Sequence, residues 1–145
     1  MKAYKDIPIF PLKSIILPGG QFPLRIFERR YLDMTRDCLK NNSGFIIALT
    51  KRDSDYISSV YDYASYVEIV DWSQLDGGLL GITVEGKQIV KLSNCNLDEC
   101  NLLKGDAEEV EYGVDYLVPQ KYQILSKFYK KIYPEIKAYI FHIKY

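Results

Sequence analysis

In Pro23-Leu24-Arg25-Ile26-Phe27-Glu28-Arg29-Arg30-Tyr31 the hydrophobic rhythm of the chain changes from that of a strand to that of a helix. Upstream, residues 4–26 read as extended structure punctuated by prolines. Ile7, Ile9 and Ile15-Ile16-Leu17 supply its apolar content, while Pro8 and Pro11, which have no N–H to donate, are expected to stay out of a central ladder position. Gly19-Gly20 marks a turn or bulge. Downstream, Phe27, Tyr31, Met34 and Cys38 step by four, three and four, which stacks them on one helical face that runs to about Lys40; Leu39 widens the stripe. Arg29, Asp33, Arg36 and Lys40 take the opposite face, with Arg29 and Asp33 at the i,i+4 spacing of an ion pair. Asn41-Asn42-Ser43-Gly44 ends the helix, the glycine or an asparagine adopting the left-handed cap.

Working outward, Phe45 to Leu49 reads as a short buried strand, Lys51 to Ser59 as a polar loop, and Val60 to Trp72 as a longer strand. Asp76-Gly77-Gly78 is a turn into a returning strand, Leu79 to Val84, and Glu85-Gly86 is expected to turn again into Gln88 to Leu92, which makes a meander of at least three strands. Asn94 to Gly105 is read as irregular and Ala107 to Tyr112 as one more strand. The tail changes character. Val118, Tyr122, Leu125, Tyr129, Ile132, Ile136, Tyr139 and Ile143 alternate steps of four and three, so a helix is expected after Pro119, kinked or split at Pro134. The fold class is therefore mainly β with helices (α+β), with residues 1–115 a β domain and 116–145 a helical extension packed on it or on a partner.

Composition narrows the function. Lys plus Arg and Asp plus Glu each count 19, so the chain lacks the global positive charge that drives binding to nucleic acid through phosphate neutralisation. Cys38, Cys95 and Cys100 with the lone His142 do not give metal-ligand spacing, and no metal or cofactor is expected. The N-terminal apolar run is interrupted by Asp6 and Lys13 and is not expected to be a leader; no stretch has membrane-spanning length, and the expected location is the cytoplasm. Gly81-Ile82-Thr83-Val84-Glu85-Gly86-Lys87 spells most of a phosphate-binding loop, but Gln88 has no hydroxyl for magnesium and the flanking β-branched residues read as strand. His142 has no accompanying nucleophile motif, so no catalytic set is expected. An acid-rich stretch, Asp98 to Asp115, precedes a lysine-rich one from Pro119 to Tyr145; such blocks either pair, within a molecule or between two, or form two separately solvated faces.

Ile7-Pro8-Ile9-Phe10-Pro11-Leu12, Leu17-Pro18-Gly19 and Pro23 to Tyr31 together resemble the Lon protease N-terminal (substrate-binding) domain family, in its stand-alone form. Tyr66–Val70, Asp76-Gly77-Gly78, Leu79–Val84 and Gly86 also follow the family's order, whereas Ile89 and Val90 stand where it usually has arginine and an aromatic. The resemblance implies a PUA-like antiparallel pseudo-barrel with one packed helix and a C-terminal helical tail. It implies a non-catalytic domain that binds polypeptide, either unfolded segments or a partner protein. Glu28 is expected in the first helical turn, where the helix dipole favours an acid, with Arg29 and Arg30 projecting outward. The candidate protein-binding residues are Arg25, Glu28, Arg29, Arg30, Tyr122, Tyr129 and Tyr139. A homodimer through the C-terminal helix is a further expectation. The alternative is a PUA-like RNA-binding module using the lysine- and tyrosine-rich tail.

Overall fold

The computed structural model describes residues 1–51, 59–111 and 119–142, of which 135–142 by backbone alone. Most of the expected loop after Lys51, and Tyr112, Val118 and Ile143 of the expected strand and tail stripe, lie outside the described residues. The chain divides into two compact units, Met1–Tyr112 and Gly113–Tyr145.

In the first unit β1 (Ala3–Leu12), β2 (Gln21–Ile26), β3 (Phe45–Thr50), β4 (Val60–Gln74), β5 (Leu80–Leu97) and β6 (Leu103–Glu109) form one sheet, with α1 (Arg29–Asn41) between β2 and β3. The strand order is β2-β5-β4-β3-β1-β6, and β6 also pairs with β5. That last pairing curls the sheet into a ring closed over part of its length, as expected of a mainly antiparallel β structure with one packed helix. Strand β5 makes this possible. Leu80 to Glu85 pair with β2, and Val90 to Leu97 pair with β6. Only β1 and β3 run parallel, in register from Ile9↔Ile46 to Leu12↔Leu49.

Alternation sorts side chains onto two faces. Phe45 and Ile47 of β3 join a core under α1 that includes Tyr31, Met34, Cys38, Val67 and Val84. Ile46 and Ala48, the intervening residues, face a second core inside the ring with Ile9, Val90, Leu103 and Ala107. Burial on both faces is why Phe45-Ile46-Ile47-Ala48 reads as an unbroken apolar run, and each large side chain there contributes about 1.5–3 kcal/mol.

Several boundaries differ from those expected. Helix α1 starts at Arg29, because Glu28 keeps an extended backbone (φ −78°, ψ 137°) while its carbonyl accepts from the Tyr31 and Leu32 amides. Phe27 therefore precedes the helix and is 68% exposed, whereas Tyr31, Met34 and Cys38 are buried as expected. Asn42 supplies the left-handed cap at φ 50°. Glu85-Gly86 does not turn. Gly86 lies inside β5, where its N–H donates to Gly20 and its carbonyl accepts from Gly19 at 2.9 and 2.8 Å. A Cβ there would meet the Leu17 carbonyl oxygen at 2.4 Å, so the glycine serves a close backbone approach. Lys87 is consequently a bulged residue within β5, since Tyr66 pairs with Gln88 and Val67 with Gly86. Pro8 and Pro11 stay out of two-sided ladder positions as expected, although β1 itself lies between β3 and β6. Pro8 pairs only with β6 and Pro11 only with β3, so each proline leaves one side of its strand free of ladder demands. The residues from Asn94 onward are more regular than expected: β5 reaches Leu97 and β6 begins at Leu103.

Asp106 fastens two bulges. Asp6 (φ 48°) and Asn94 (φ 51°) take left-handed conformations at register shifts in β1 and β5. The Asp106 carboxylate accepts from the Asp6 amide (3.2 Å), Lys5 Nζ (3.0 Å) and Asn94 Nδ2 (2.9 Å). The Asn94 and Lys5 hydrogen bonds lead in holding its pKa down at about 2.

The second unit contains a 3-10 turn, Gln120–Tyr122, and α2, Gln123–His142. Pro119 precedes the turn, and α2 is a single helix with Pro134 inside it, so the tail does not split there.

Candidate functional site

The β2–α1 junction fixes the most distinctive polar residues. Glu28 makes no side-chain cap, so its carboxylate is free to receive Arg30 Nε at 3.0 Å and a terminal guanidinium nitrogen at 2.7 Å. The other terminal nitrogen of Arg30 donates to the Asn101 carbonyl at 2.7 Å. Its guanidinium lies 4.7 Å from the centre of the Tyr31 ring. Arg30 is thus folded inward, its side chain only 13% exposed, and ties α1 to the β5–β6 turn rather than projecting outward. That turn is itself braced by Asp98, whose carboxylate accepts from the Cys100 and Leu102 amides at 2.8 and 2.9 Å and is held below its usual pKa chiefly by the Leu102 amide. Glu28 stands at the helix cap rather than in the first turn. Arg29 does point outward, and pairs with Asp33 at 2.9 Å.

Tyr31 packs beneath, its ring 4.4 Å from Phe10, and burial leads in pushing its phenol pKa up. Beside it opens a hollow of about 430 Å³ lined by Phe10, Leu12, Lys13, Ile26 and Phe27. Arg25 borders this hollow and a second one of about 520 Å³, whose wall includes Pro23, Trp72, Leu75 and Thr83. Arg25 is exposed and, among the described residues, has no ion-pair partner. Trp72 is 58% exposed and Phe27 more so, which gives the face two uncovered aromatics with a cation between their hollows. Apolar side chains at a surface hollow suit capture of apolar side chains from a flexible ligand.

Of the residues singled out in the sequence, Arg25, Glu28, Arg29 and Arg30 lie on or next to this junction. Tyr122, Tyr129 and Tyr139 belong to the other unit. The Tyr122 ring has Lys121 Nζ 4.8 Å from its centre, and Tyr129 stacks on Tyr133 at 5.1 Å. The Tyr139 side chain is outside the described residues. Trp72 and the exposure of Phe27 escaped the sequence reading. The signal for Trp72 is its polar surroundings, Asp71 and Ser73-Gln74, at the end of a strand. In the phosphate-loop lookalike, Gly81 to Lys87 are all strand residues and no helix follows them, so their amides form no cradle. No helix among the described residues is long and apolar enough to cross a membrane.

The first unit is thus a partial β ring with one packed helix and surface apolar hollows. Residues 6–141 match the profile of the ATP-dependent protease La (LON) substrate-binding domain, and the chain belongs to that family. Its fold is similar to the Lon N-terminal domain protein from Xanthomonas campestris, with 26% identity, a TM-score of 0.75, and coverage of 91% of this chain and 73% of that one. It is also similar in fold to the N-terminal domain of Mycobacterium avium complex Lon protease, with 17% identity, a TM-score of 0.61, and coverage of 98% and 72%. No curated protein sequence matches the chain.

Proposed function

We propose that this chain is a non-catalytic, cytoplasmic polypeptide-binding domain that takes unfolded segments or a partner protein. The observation that carries the proposal is the β2–α1 junction, where Phe27 stands 68% exposed over an apolar hollow with Arg25 at its rim. Family membership supports the same reading, because the family is named for substrate binding. Arg25 and Phe27 make the contact; Arg30, with Glu28, holds the junction in shape, and Arg29 lies at its margin. The tail contributes through self-association, the apolar stripe of α2 meeting a second copy.

The direct test is fluorescence anisotropy with a labelled, permanently unfolded protein such as reduced, carboxymethylated α-lactalbumin. Binding is expected to depend weakly on salt and to fall about fivefold or more in Phe27→Ala, because an exposed aromatic at the centre of a contact carries much of its energy. Unchanged binding in that variant would remove the junction from the site. A steep salt dependence, with stronger retention on RNA than on the unfolded protein, would replace polypeptide with nucleic acid as the ligand.

A further inference from the structure

Resting on the polypeptide-binding reading, we propose that the second half of β4, Glu68 to Gln74, is an open strand edge onto which an extended polypeptide segment adds as a further strand. The ligand's backbone would then be read by β4 and its alternate side chains by the slot between β4 and α1.

The pairing register defines the edge. β3 accompanies β4 only as far as Phe45↔Val67, while β5 continues beside it to Gln74↔Leu80. Glu68 to Gln74 thus have a strand neighbour on one side only, and Val70 to Gln74 are all exposed. The Trp72 amide shows which way the free groups point. It donates to its neighbour Asp71 Oδ1 at 2.9 Å, so it is turned away from β5. The register is unbroken from Asp71↔Thr83 to Gln74↔Leu80, and antiparallel alternation places the Gln74 amide on the same free side.

An edge of this kind is a template for another strand unless something blunts it. The other open edge, β2, pairs only with β5 and carries Pro23 at its middle, which blocks strand addition. Glu68 to Gln74 hold no proline; their guard is the Asp71 carboxylate, which an incoming carbonyl can displace. Over the sheet face beside that edge lies a slot of about 300 Å³ between Leu32, Arg36 and Leu39 of α1 and Trp72, Gln74 and Leu80 of the sheet. A strand added at the edge lies about 4.8 Å from β4 and sends every second side chain to one face. Leu32, Leu39 and Leu80 suit apolar side chains on that face. Asp71 and Asp76 are exposed and unpaired with any cation among the described residues, so they favour lysine or arginine at the intervening positions. The occupant is therefore an extended stretch that alternates apolar with basic residues.

The test uses the full chain and a capped heptapeptide alternating lysine with valine, beside the same peptide methylated on alternate backbone amides. Calorimetry is expected to show binding of the first and a loss of about tenfold or more for the second, the scale of a few backbone hydrogen bonds. Hydrogen exchange followed by NMR should slow at the Trp72 and Gln74 amides when the unmethylated peptide is bound. Gln74→Pro should weaken binding as methylation does, and by more than Gln74→Ala, since both variants lose the side chain and only proline also loses the backbone N–H. Equal affinity for the two peptides, or no change in exchange at those amides, overturns the inference. If Gln74→Pro does not fold, the peptide pair decides. Were the unfolded protein to bind normally while the methylated peptide bound as well as its parent, strand addition would fail and the broader function stand. Failure of the unfolded protein and both peptides to bind would sink both. A dimer that protects the same amides without peptide would assign the edge to a second copy and overturn the proposal as well.

Discussion

Replacing Tyr31 or Phe27 by alanine separates the support of the junction from its proposed contact surface. The Tyr31 ring is 6% exposed, lies 4.4 Å from Phe10 and is covered by the Arg30 guanidinium at 4.7 Å. Its removal leaves a cavity between α1 and β1, and the expected loss is about 3–5 kcal/mol. Domains of this size are stable by only about 5–15 kcal/mol, so the melting temperature should fall by roughly 10–20 °C. Phe27 removes far less from the folded state. With 68% of it exposed, about a third of a side chain of roughly 200 Å² is covered, worth about 1.5 kcal/mol at most. Thermal melts by circular dichroism check stability, and anisotropy with the unfolded protein checks binding. Tyr31→Ala should melt early. Phe27→Ala should melt nearly as the parent does, yet bind poorly. Equal losses of stability would refute the assignment of Phe27 to the surface. Equal binding by Phe27→Ala and the parent would refute its part in the contact.

Gly86→Ala should lose about 1–3 kcal/mol in urea melts, because the new methyl meets Leu17 backbone at 2.4 Å and must displace the loop before β2; parental stability would contradict that close approach. Arg29→Ala should change stability by less than about 0.5 kcal/mol, whereas Arg30→Ala should lose about 1–3 kcal/mol because Glu28 and the Asn101 carbonyl lose their donor; equal effects would show that Arg30 is not folded inward. Asp106 titrates at about 2 in the fold against an ordinary 3.8, so its contribution is present above 3.8 and disappears as pH falls toward 2. Asp106→Asn should flatten that part of the acid limb in urea midpoints, and an unchanged limb would exclude the bulge latch. Sedimentation at several concentrations should show self-association that truncation after Val118 abolishes; a monomer at every concentration would limit α2 to a role within one molecule.

Periodicity and turn chemistry revealed most of the architecture. The four-three rhythm of Tyr31, Met34 and Cys38 located the buried face of α1, and Asp76-Gly77-Gly78 located the β4–β5 connection. What escaped depends on partners distant in sequence. Phe27 fits the helical rhythm, but Glu28 stays extended and the helix begins after it. Gly86 looks like a turn because glycine marks both turns and close approaches, and only the Leu17 carbonyl distinguishes them. Arg30 resembles any surface arginine until the Asn101 carbonyl, on a turn far along the chain, receives it. The same limit applies to the candidate site. Arg25 and the Glu28–Arg30 cluster were legible as an unusual polar run, but the open edge of β4 follows from where β3 stops, which local sequence does not encode.

The closure of the ring imposes an order on how the chain comes to exist. Ala3 pairs with Glu108 and Ile9 with Leu103, so β1 is completed by a strand that lies about a hundred residues further along the chain. At about 5–20 residues per second of synthesis, β1 waits roughly 5–20 s before β6 is available. Throughout that interval Ile7 and Ile9 lack the strand that will help to enclose them. Contacts so far apart in sequence also make closure slow once the chain is free, since the loop entropy is lost before the pairing repays it. The nascent domain is therefore most exposed to association at β1, and its yield should respond to translation rate and chaperone supply more than its final stability would indicate.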